Sequence, residues 1–309
     1  MTSLPPGQIK EIFAERFGES FSDHQPLSQV LPTGLGGVAD YYVVARRPND
    51  IVDAAMLAIE HKIPYRVLGN GTGVLVGESG YPGLIIHNFT SGCIRMGETS
   101  RVVVESGTTL RFLVYSLASL GLGGLEFISR IPGTVGGAIA STATFNGQKV
   151  SSFVREICLF DPDHRKVATL PYTDAATPER APLFSDELVF PPIILSATFQ
   201  LAQLPQDEII RRLKKLGGKR DWPKAALALP FIDSISQVPM EKIVTKDLGR
   251  LGIRYSPVEE MLTFNPTTAR PTHLHQAINL LGQQAARFGV ETTPRITYLG
   301  YYQDKDGET

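Results

Sequence analysis

Apolar residues recur three and four positions apart in five segments of the chain, the spacing that places them on one face of an α-helix. The predicted helices cover Gln8 to Phe17, about Asn49 to His61, Leu110 to Leu120, Gln206 to Leu216 and about His273 to Phe288. Asn49 is the predicted N-cap of the second helix, and Gly121 suits the C′ position after the third.

Short runs of Val, Ile and Leu, bounded by glycine or polar residues, predict strands between these helices. The predicted strands are Pro64–Leu68, Leu84–Ile86, Val102–Val104, about Val154–Phe160, Ile193–Leu201 and Arg295–Tyr302. The stretch from Pro171 to Pro192 is rich in Pro, Asp and Ala and is predicted to be a long loop. This order of elements predicts a mixed α+β fold, with a domain boundary near Leu201–Asp207.

Composition narrows the class of protein. The chain has 309 residues, 42% of them hydrophobic and 20% charged, and a net charge of −1. This charge balance argues against nucleic acid as a partner, and no apolar run reaches the roughly 18 residues of a membrane span. Met1 to Pro6 do not resemble a signal peptide, so a cytoplasmic location is expected. Cys93 and Cys158 are expected to be buried thiols rather than a disulfide or a metal pair.

Glycines cluster directly after the predicted strand that ends at Leu68, in the run Gly69-Asn70-Gly71-Thr72-Gly73. Because glycine lacks a Cβ, successive backbone N–H groups in such a run can converge on one anion, and a pyrophosphate suits that arrangement. A plain turn gives the same pattern, so the run alone leaves both interpretations open. No long helix is predicted after it, which argues against a Rossmann dinucleotide site.

A second glycine cluster, Pro132-Gly133-Thr134-Val135-Gly136-Gly137, lies between apolar residues. Two such loops in one module indicate a long phosphorylated ligand that is held from both sides. We call Gly69–Gly73 the first glycine loop and Pro132–Gly137 the second glycine loop.

At these residues the chain resembles known flavoproteins. Leu68 to Thr72 and Gly83 to Ile86 are similar to the FAD-binding domain of the p-cresol methylhydroxylase and vanillyl-alcohol oxidase type. Gly36 to Asp40, Gly124 to Phe127 and Ile131 to Gly137 resemble the bacterial UDP-N-acetylenolpyruvoylglucosamine reductases. The resemblance extends from about Pro26 to Gly300, is more specific in the N-terminal two thirds, and marks a divergent member.

The resemblance implies an α+β fold in which two FAD-binding subdomains precede a C-terminal α+β substrate domain. The implied divisions are residues 1–26 for an N-terminal helix and lead-in, 27–203 for the FAD-binding domain and 204–309 for the substrate domain. FAD would lie with its pyrophosphate on the first glycine loop and its isoalloxazine near the second. The implied FAD-binding residues are Leu68, Gly69, Asn70, Gly71, Thr72, Gly73, Val74, Leu75, Pro132, Gly133, Thr134, Gly136, Gly137 and Ala138.

The resemblance also implies how the flavin is attached. Covalently flavinylated relatives carry a histidine in or near the pyrophosphate loop, and the first glycine loop has none. His87 lies beyond the loop in a strand-like segment and is expected to be structural. Non-covalent FAD is therefore expected, with NADPH or NADH as the reductant.

The residues that would act on the substrate are less well preserved. The family's proton-donating serine would fall on Ser234, between Pro230 and Pro239, although a plain loop serine fits equally well. The family's arginine would fall on Arg180, which a solvent-exposed loop arginine also explains. The position of the family's C-terminal glutamate holds Arg295, whose guanidinium stays protonated and inverts the local charge.

Three functions remain open at this stage. The leading hypothesis is an FAD-dependent oxidoreductase adapted to a different small molecule, which could be nucleotide-linked. The second is the orthodox NADPH-dependent reductase of peptidoglycan synthesis, and the third is a flavin-holding scaffold or partner subunit without its own chemistry. The sequence leaves the oligomeric state open.

Overall fold

The computed structural model describes residues 5–145, 148–172, 188–216, 226–228, 245–256, 261–287 and 296–300. Its chain groups into two units, of which the first contains Met1–Asp23, Tyr41–Asn70 and Gly83–Asp221. The second unit contains His24–Asp40, Gly71–Pro82 and Trp222–Thr309. The predicted α+β fold class is confirmed, whereas the domain divisions given above stay a prediction.

The first unit contains five of the described α-helices, a five-stranded sheet and most of a four-stranded sheet. The helices are α1 (Pro6–Phe17), α2 (Pro48–Glu60), α3 (Leu110–Ser119), α4 (Val135–Ala140) and α5 (Gln206–Lys215). One sheet has the order β1-β2-β5-β3, formed by β1 (Phe21–Pro26), β2 (Val38–Ala45), β3 (Tyr65–Leu68) and β5 (Tyr81–Asn88). Strands β3 and β5 run parallel, and the register places Leu68 beside His87.

The other main sheet is five-stranded and antiparallel where its pairings are described. Its order is β12-β11-β13-β7-β6, formed by β6 (Cys93–Arg95), β7 (Arg101–Glu105), β11 (Val154–Asp161), β12 (Lys166–Pro171) and β13 (Ile193–Gln200). Short pairs complete the unit, between β8 (Leu122–Gly123) and β14 (Ala202–Gln203) and between β9 (Thr144–Phe145) and β10 (Gln148–Lys149).

Two apolar clusters form the core of the first unit. In one, α1 and α2 pack with β2, β3 and β5, and α2 contributes Ile51, Ala54, Ala55 and Ala58. In the other, α3 and α4 pack against the five-stranded sheet around Val104 and Phe199. The spacing of the buried residues of α2 is that of one helical face, as its sequence pattern predicts.

The beginning of α2 corrects one expectation. Asn49 was the predicted N-cap, but the helix begins at Pro48 and its N-cap is Arg47. Proline suits the first helical position because its φ angle is preset and its missing N–H would have no helical partner. The Asp50 carboxylate accepts hydrogen bonds from the backbone N–H groups of Arg46 and Arg47, at 3.1 and 3.0 Å. The predicted end of α3 is confirmed, since Gly121 follows the C-cap Leu120 with φ of +67°.

The second unit has its own core. Strand β4 (Val74–Val76) pairs in parallel with β18 (Thr297–Leu299), and a sheet of order β15-β17-β16 combines β15 (Ala226–Ala228), β16 (Ile253–Ser256) and β17 (Met261–Phe264). Helix α6 (Thr245–Arg250) and helix α7 (Pro271–Ala286) complete its described elements. Leu274, Ile278 and Leu281 of α7 are buried with Leu75 and Leu262. Within the described ranges, no helix is both long and apolar enough to cross a bilayer.

Candidate functional site

The two glycine loops meet at Gly69, within the first unit. Gly69 follows β3 directly, and a Cβ on this residue would collide with the Oγ1 of Thr134 in the second glycine loop. Glycine is therefore required here by close approach, because any other residue would push the two loops apart. The sequence predicted two loops around one ligand, and the structure brings their first and third residues into contact.

The chain returns from the first unit to the second after Asn70, and Gly71 is the first residue of the segment Gly71–Pro82 of the second unit. Gly71 is buried, has φ of +67°, and donates its N–H to no acceptor among the described residues. Glycine adopts this φ without strain and lets the backbone approach a ligand closely, so Gly71 suits a position beside an anionic ligand oxygen. Later in the loop, Val74 donates to the Gly71 carbonyl at 3.4 Å and Thr297 donates to the Gly73 carbonyl at 3.0 Å.

The second glycine loop differs from the first, because three of its backbone N–H groups, those of Val135, Gly136 and Gly137, have protein acceptors. Val135 donates to the Thr108 carbonyl at 2.9 Å, and Gly136 donates to the Ser106 carbonyl at 2.8 Å. The Oγ1 of Thr134 accepts from the N–H of Gly137 at 3.4 Å and so caps α4. These contacts fix the loop's shape and leave the first glycine loop as the better anion site.

A network of buried polar side chains supports the second glycine loop from behind. Asn88, at the end of β5, donates through Nδ2 to the Ser106 hydroxyl at 2.8 Å and accepts the N–H of Thr90 at 3.0 Å. The Thr90 hydroxyl accepts the N–H of Gly107 at 3.1 Å. A Cβ on Gly107 would collide with Asn88, so the turn between β7 and α3 lies tightly against the end of β5.

These supporting residues were not predicted from the sequence. Asn88, the last residue of β5, and Thr90, Ser106 and Thr108, which follow apolar strands, are all buried polar residues. The only sign of them in the sequence was a run of polar residues at the end of an apolar strand, and ordinary turns show the same pattern.

His87 lies at the same end of β5 and is 5% exposed. Its Nδ1 forms a hydrogen bond with the Tyr42 hydroxyl, and its ring also hydrogen-bonds to the backbone of Gly69. Burial lowers the pKa of His87 to about 4, partly opposed by the Gly69 hydrogen bond, so the imidazole is neutral at pH 7. Burial raises the pKa of Tyr42 to about 12.

The structure places the other expected FAD-binding residues along the two loops. Leu68 ends β3, Asn70 is exposed, and Thr72 is half-buried. Val74 and Leu75 belong to β4, where Leu75 is fully buried. In the second loop, Pro132 and Gly133 are half-buried and Ala138 is a buried residue of α4. Ser234, Arg180 and Arg295, the expected catalytic residues, lie outside the described residues.

Comparison with known proteins gives this geometry a context. Residues 39–164 match the model of an FAD-binding domain family, which covers both glycine loops and the supporting network. The chain is 30% identical over 265 residues to the UDP-N-acetylenolpyruvoylglucosamine reductase of Rhodopirellula baltica, with 84% of each chain covered. It is 24% identical over 255 residues to the same enzyme of Carboxydothermus hydrogenoformans, covering 81% of this chain and 82% of that one.

A solved structure is also similar in fold. The UDP-N-acetylenolpyruvylglucosamine reductase of Thermus caldophilus superposes with a TM-score of 0.62 at 20% sequence identity, covering 91% of this chain and 98% of that one. At this identity the likeness concerns the fold alone.

Proposed function

The chain belongs to the UDP-N-acetylenolpyruvoylglucosamine reductase family, and we propose that it acts on a small molecule other than the substrate that names the family. It is an FAD-dependent oxidoreductase. The observation that carries the proposal is the arginine at position 295, where the resemblance expects a glutamate. The flavin-holding loops, in contrast, keep the glycines that their close contacts require.

The described residues fit FAD at the first glycine loop. The N–H of Gly71, a buried residue with φ of +67°, would donate to a pyrophosphate oxygen, and Gly69 and Asn70 would bring the chain to it. The second glycine loop, fixed by Ser106 and Thr108, would form a rigid wall near the isoalloxazine. FAD bound there would accept a hydride from NADPH or NADH and pass it to the substrate.

We expect the protein to differ from its family in the residues that act on the substrate. A reduced carbon–carbon double bond must be protonated on the carbon next to the one that receives hydride, and Ser234 is the proposed donor. At position 295 a glutamate could assist that proton transfer, whereas an arginine offers only a permanent positive charge. That charge, together with Arg180, favours a substrate with a carboxylate or phosphate group.

The test compares the wild-type protein with Arg295→Glu. Both proteins are purified with FAD, and flavin reduction by NADPH and by NADH is followed at the flavin absorbance band. We expect flavin reduction in both proteins, but when UDP-N-acetylglucosamine enolpyruvate is added the wild type should oxidise no NADPH beyond the one equivalent that reduces its flavin. Arg295→Lys, which keeps the positive charge, is the matched control and should behave as the wild type does.

A second candidate is the orthodox UDP-N-acetylenolpyruvoylglucosamine reductase. It is favoured by the 30% identity to the Rhodopirellula baltica enzyme over 84% of both chains. Stoichiometric NADPH oxidation by the wild type in the presence of UDP-N-acetylglucosamine enolpyruvate would establish this candidate and overturn the first.

A further inference from the structure

A hydrogen-bonded chain of two buried side chains, Tyr42 and His87, and the half-buried Gly69 lies where β3 leads into the first glycine loop. The Tyr42 hydroxyl bonds to Nδ1 of His87, and the same imidazole bonds to the backbone of Gly69. Tyr42 and His87 are each no more than 5% exposed, and their rings meet edge to face with centroids 5.7 Å apart. Phe89 packs on the imidazole with a centroid distance of 4.2 Å.

The protonation state of the imidazole fixes the direction of both hydrogen bonds. The Gly69 bond raises the pKa of His87, so the Gly69 carbonyl accepts a proton-bearing ring nitrogen. A neutral imidazole has one donor and one acceptor nitrogen, and the acceptor here is Nδ1. The Tyr42 hydroxyl therefore donates to Nδ1, and Nε2 donates to the Gly69 carbonyl. Each polar atom of the imidazole has one partner.

Gly69 is held on two sides. On one side its carbonyl accepts the imidazole hydrogen bond, and on the other its Cα lies so close to Thr134 that a Cβ would not fit. The parallel register of β3 and β5, which pairs Leu68 with His87, brings the imidazole to this point. A displacement of Gly69 would consequently disturb both glycine loops.

The rest of β5 shows that a polar side chain is not needed for packing here. Leu84, Ile85 and Ile86, the three residues before His87, are fully buried and apolar. An apolar residue at position 87 would fill space without requiring a hydroxyl from Tyr42, and buried polar groups are costly unless both are paired. We therefore attribute the polar character of Tyr42 and His87 to the hydrogen bond that the imidazole makes with the Gly69 carbonyl.

We propose that Tyr42 and His87 are positioning residues that hold the start of the first glycine loop in the conformation that binds FAD. The neutral imidazole fixes the Gly69 carbonyl, and Tyr42 fixes the orientation of the imidazole. This inference rests on FAD binding at the first glycine loop and is independent of which substrate is reduced.

The experiment measures FAD affinity in the purified holoprotein by dilution, from the rise in free flavin fluorescence. Four variants are compared with the wild type: His87→Leu, His87→Gln, Tyr42→Phe and Leu84→Ala. Leu84→Ala is the matched control, since it opens a cavity in the same strand at the far end of its pairing with β3. Thermal unfolding of every variant is measured alongside.

We expect His87→Leu to raise the FAD dissociation constant about tenfold, since the Gly69 carbonyl loses its donor. His87→Gln, whose amide can still donate to Gly69, should stay within about threefold of the wild type. Tyr42→Phe should fall between them, because the imidazole keeps its place but loses its orienting donor. Leu84→Ala should unfold at a lower temperature with nearly unchanged FAD affinity.

Wild-type affinity in both His87→Leu and Tyr42→Phe would overturn the proposal, as would an equal loss of affinity in Leu84→Ala. If His87→Leu does not fold, the FAD affinity of Tyr42→Phe alone decides the test, because this substitution removes only a hydroxyl. If the wild-type protein binds no FAD, the assignment of FAD as its cofactor is contradicted as well. Activity on any particular substrate affects only the proposed function.

Discussion

At the scale of single residues, Gly71 is the position of the candidate site where the backbone conformation most clearly requires glycine. It is buried with φ of +67°, a conformation that a β-branched residue adopts only under strain of about 1–2 kcal/mol. Its N–H has no acceptor among the described residues and is the group that we assign to a ligand oxygen.

We expect Gly71→Val to reduce FAD occupancy of the purified protein by tenfold or more, because the side chain strains the loop and turns its N–H away. The ratio of flavin absorbance to protein absorbance measures this. Gly97→Val is the matched control, since Gly97 has φ of +59° and open space around its Cβ position. Full FAD occupancy in Gly71→Val would contradict the assignment of a pyrophosphate to this loop.

His87 gives a residue-scale prediction about pH. Its pKa of about 4 in the folded protein lies below the ordinary 6.5, so the unfolded chain binds this proton more readily. The contribution of neutral His87 to stability is complete above pH 6.5 and is lost as the pH falls toward 4. The full loss is on the order of 3 kcal/mol, by the conversion of about 1.4 kcal/mol per pKa unit.

We therefore expect His87→Gln to flatten the fall in the free energy of unfolding between pH 6.5 and pH 4. Urea denaturation at intervals of half a pH unit measures both curves. The difference between wild type and variant isolates His87 from the carboxylates that titrate in the same range. Parallel curves would show that the imidazole is not protected from protonation in the folded state.

At the scale of elements, the short helix α4 connects the second glycine loop to the first. Its N-cap, Thr134, accepts the N–H of Gly137 and also lies against Gly69. Helix α3 begins with a similar cap, since the Oγ1 of Thr109 accepts the N–H of Phe112 at 3.2 Å. The two caps have the same chemistry, but only that of α4 touches the first glycine loop through its side chain.

We expect Thr134→Ala to lower the free energy of unfolding by about 1 kcal/mol and also to weaken FAD binding, because a cap and a loop contact are lost together. Thr109→Ala should cost a similar free energy and leave FAD affinity closer to that of the wild type. Thr134→Ser keeps the hydroxyl and should retain most of both properties. Urea denaturation and flavin fluorescence measure the two effects, and an unchanged FAD affinity in Thr134→Ala would separate α4 from cofactor binding.

At the scale of the whole molecule, the elements with strong local patterns were predictable. Helices α1, α3 and α5 and strands β3, β7, β11 and β13 lie within one to two residues of their predicted bounds. The end of α3 was predicted because glycine at C′ is a local signal. The beginning of α2 was placed wrongly, since Pro48 and the side chain of Asp50 together fix a start that the asparagine signal alone did not reveal.

By itself, the sequence determined the two glycine loops from neighbouring residues, the fold class from the order of locally patterned elements, and the cofactor from the family resemblance that these segments carry. Only the tertiary structure decided which groups support those loops. Asn88 meets Ser106, Tyr42 meets His87 and Gly69 meets Thr134 across separations of 18, 45 and 65 residues. Such contacts depend on strand register and close packing, which place distant residues within hydrogen-bonding distance and leave no periodic trace in the sequence.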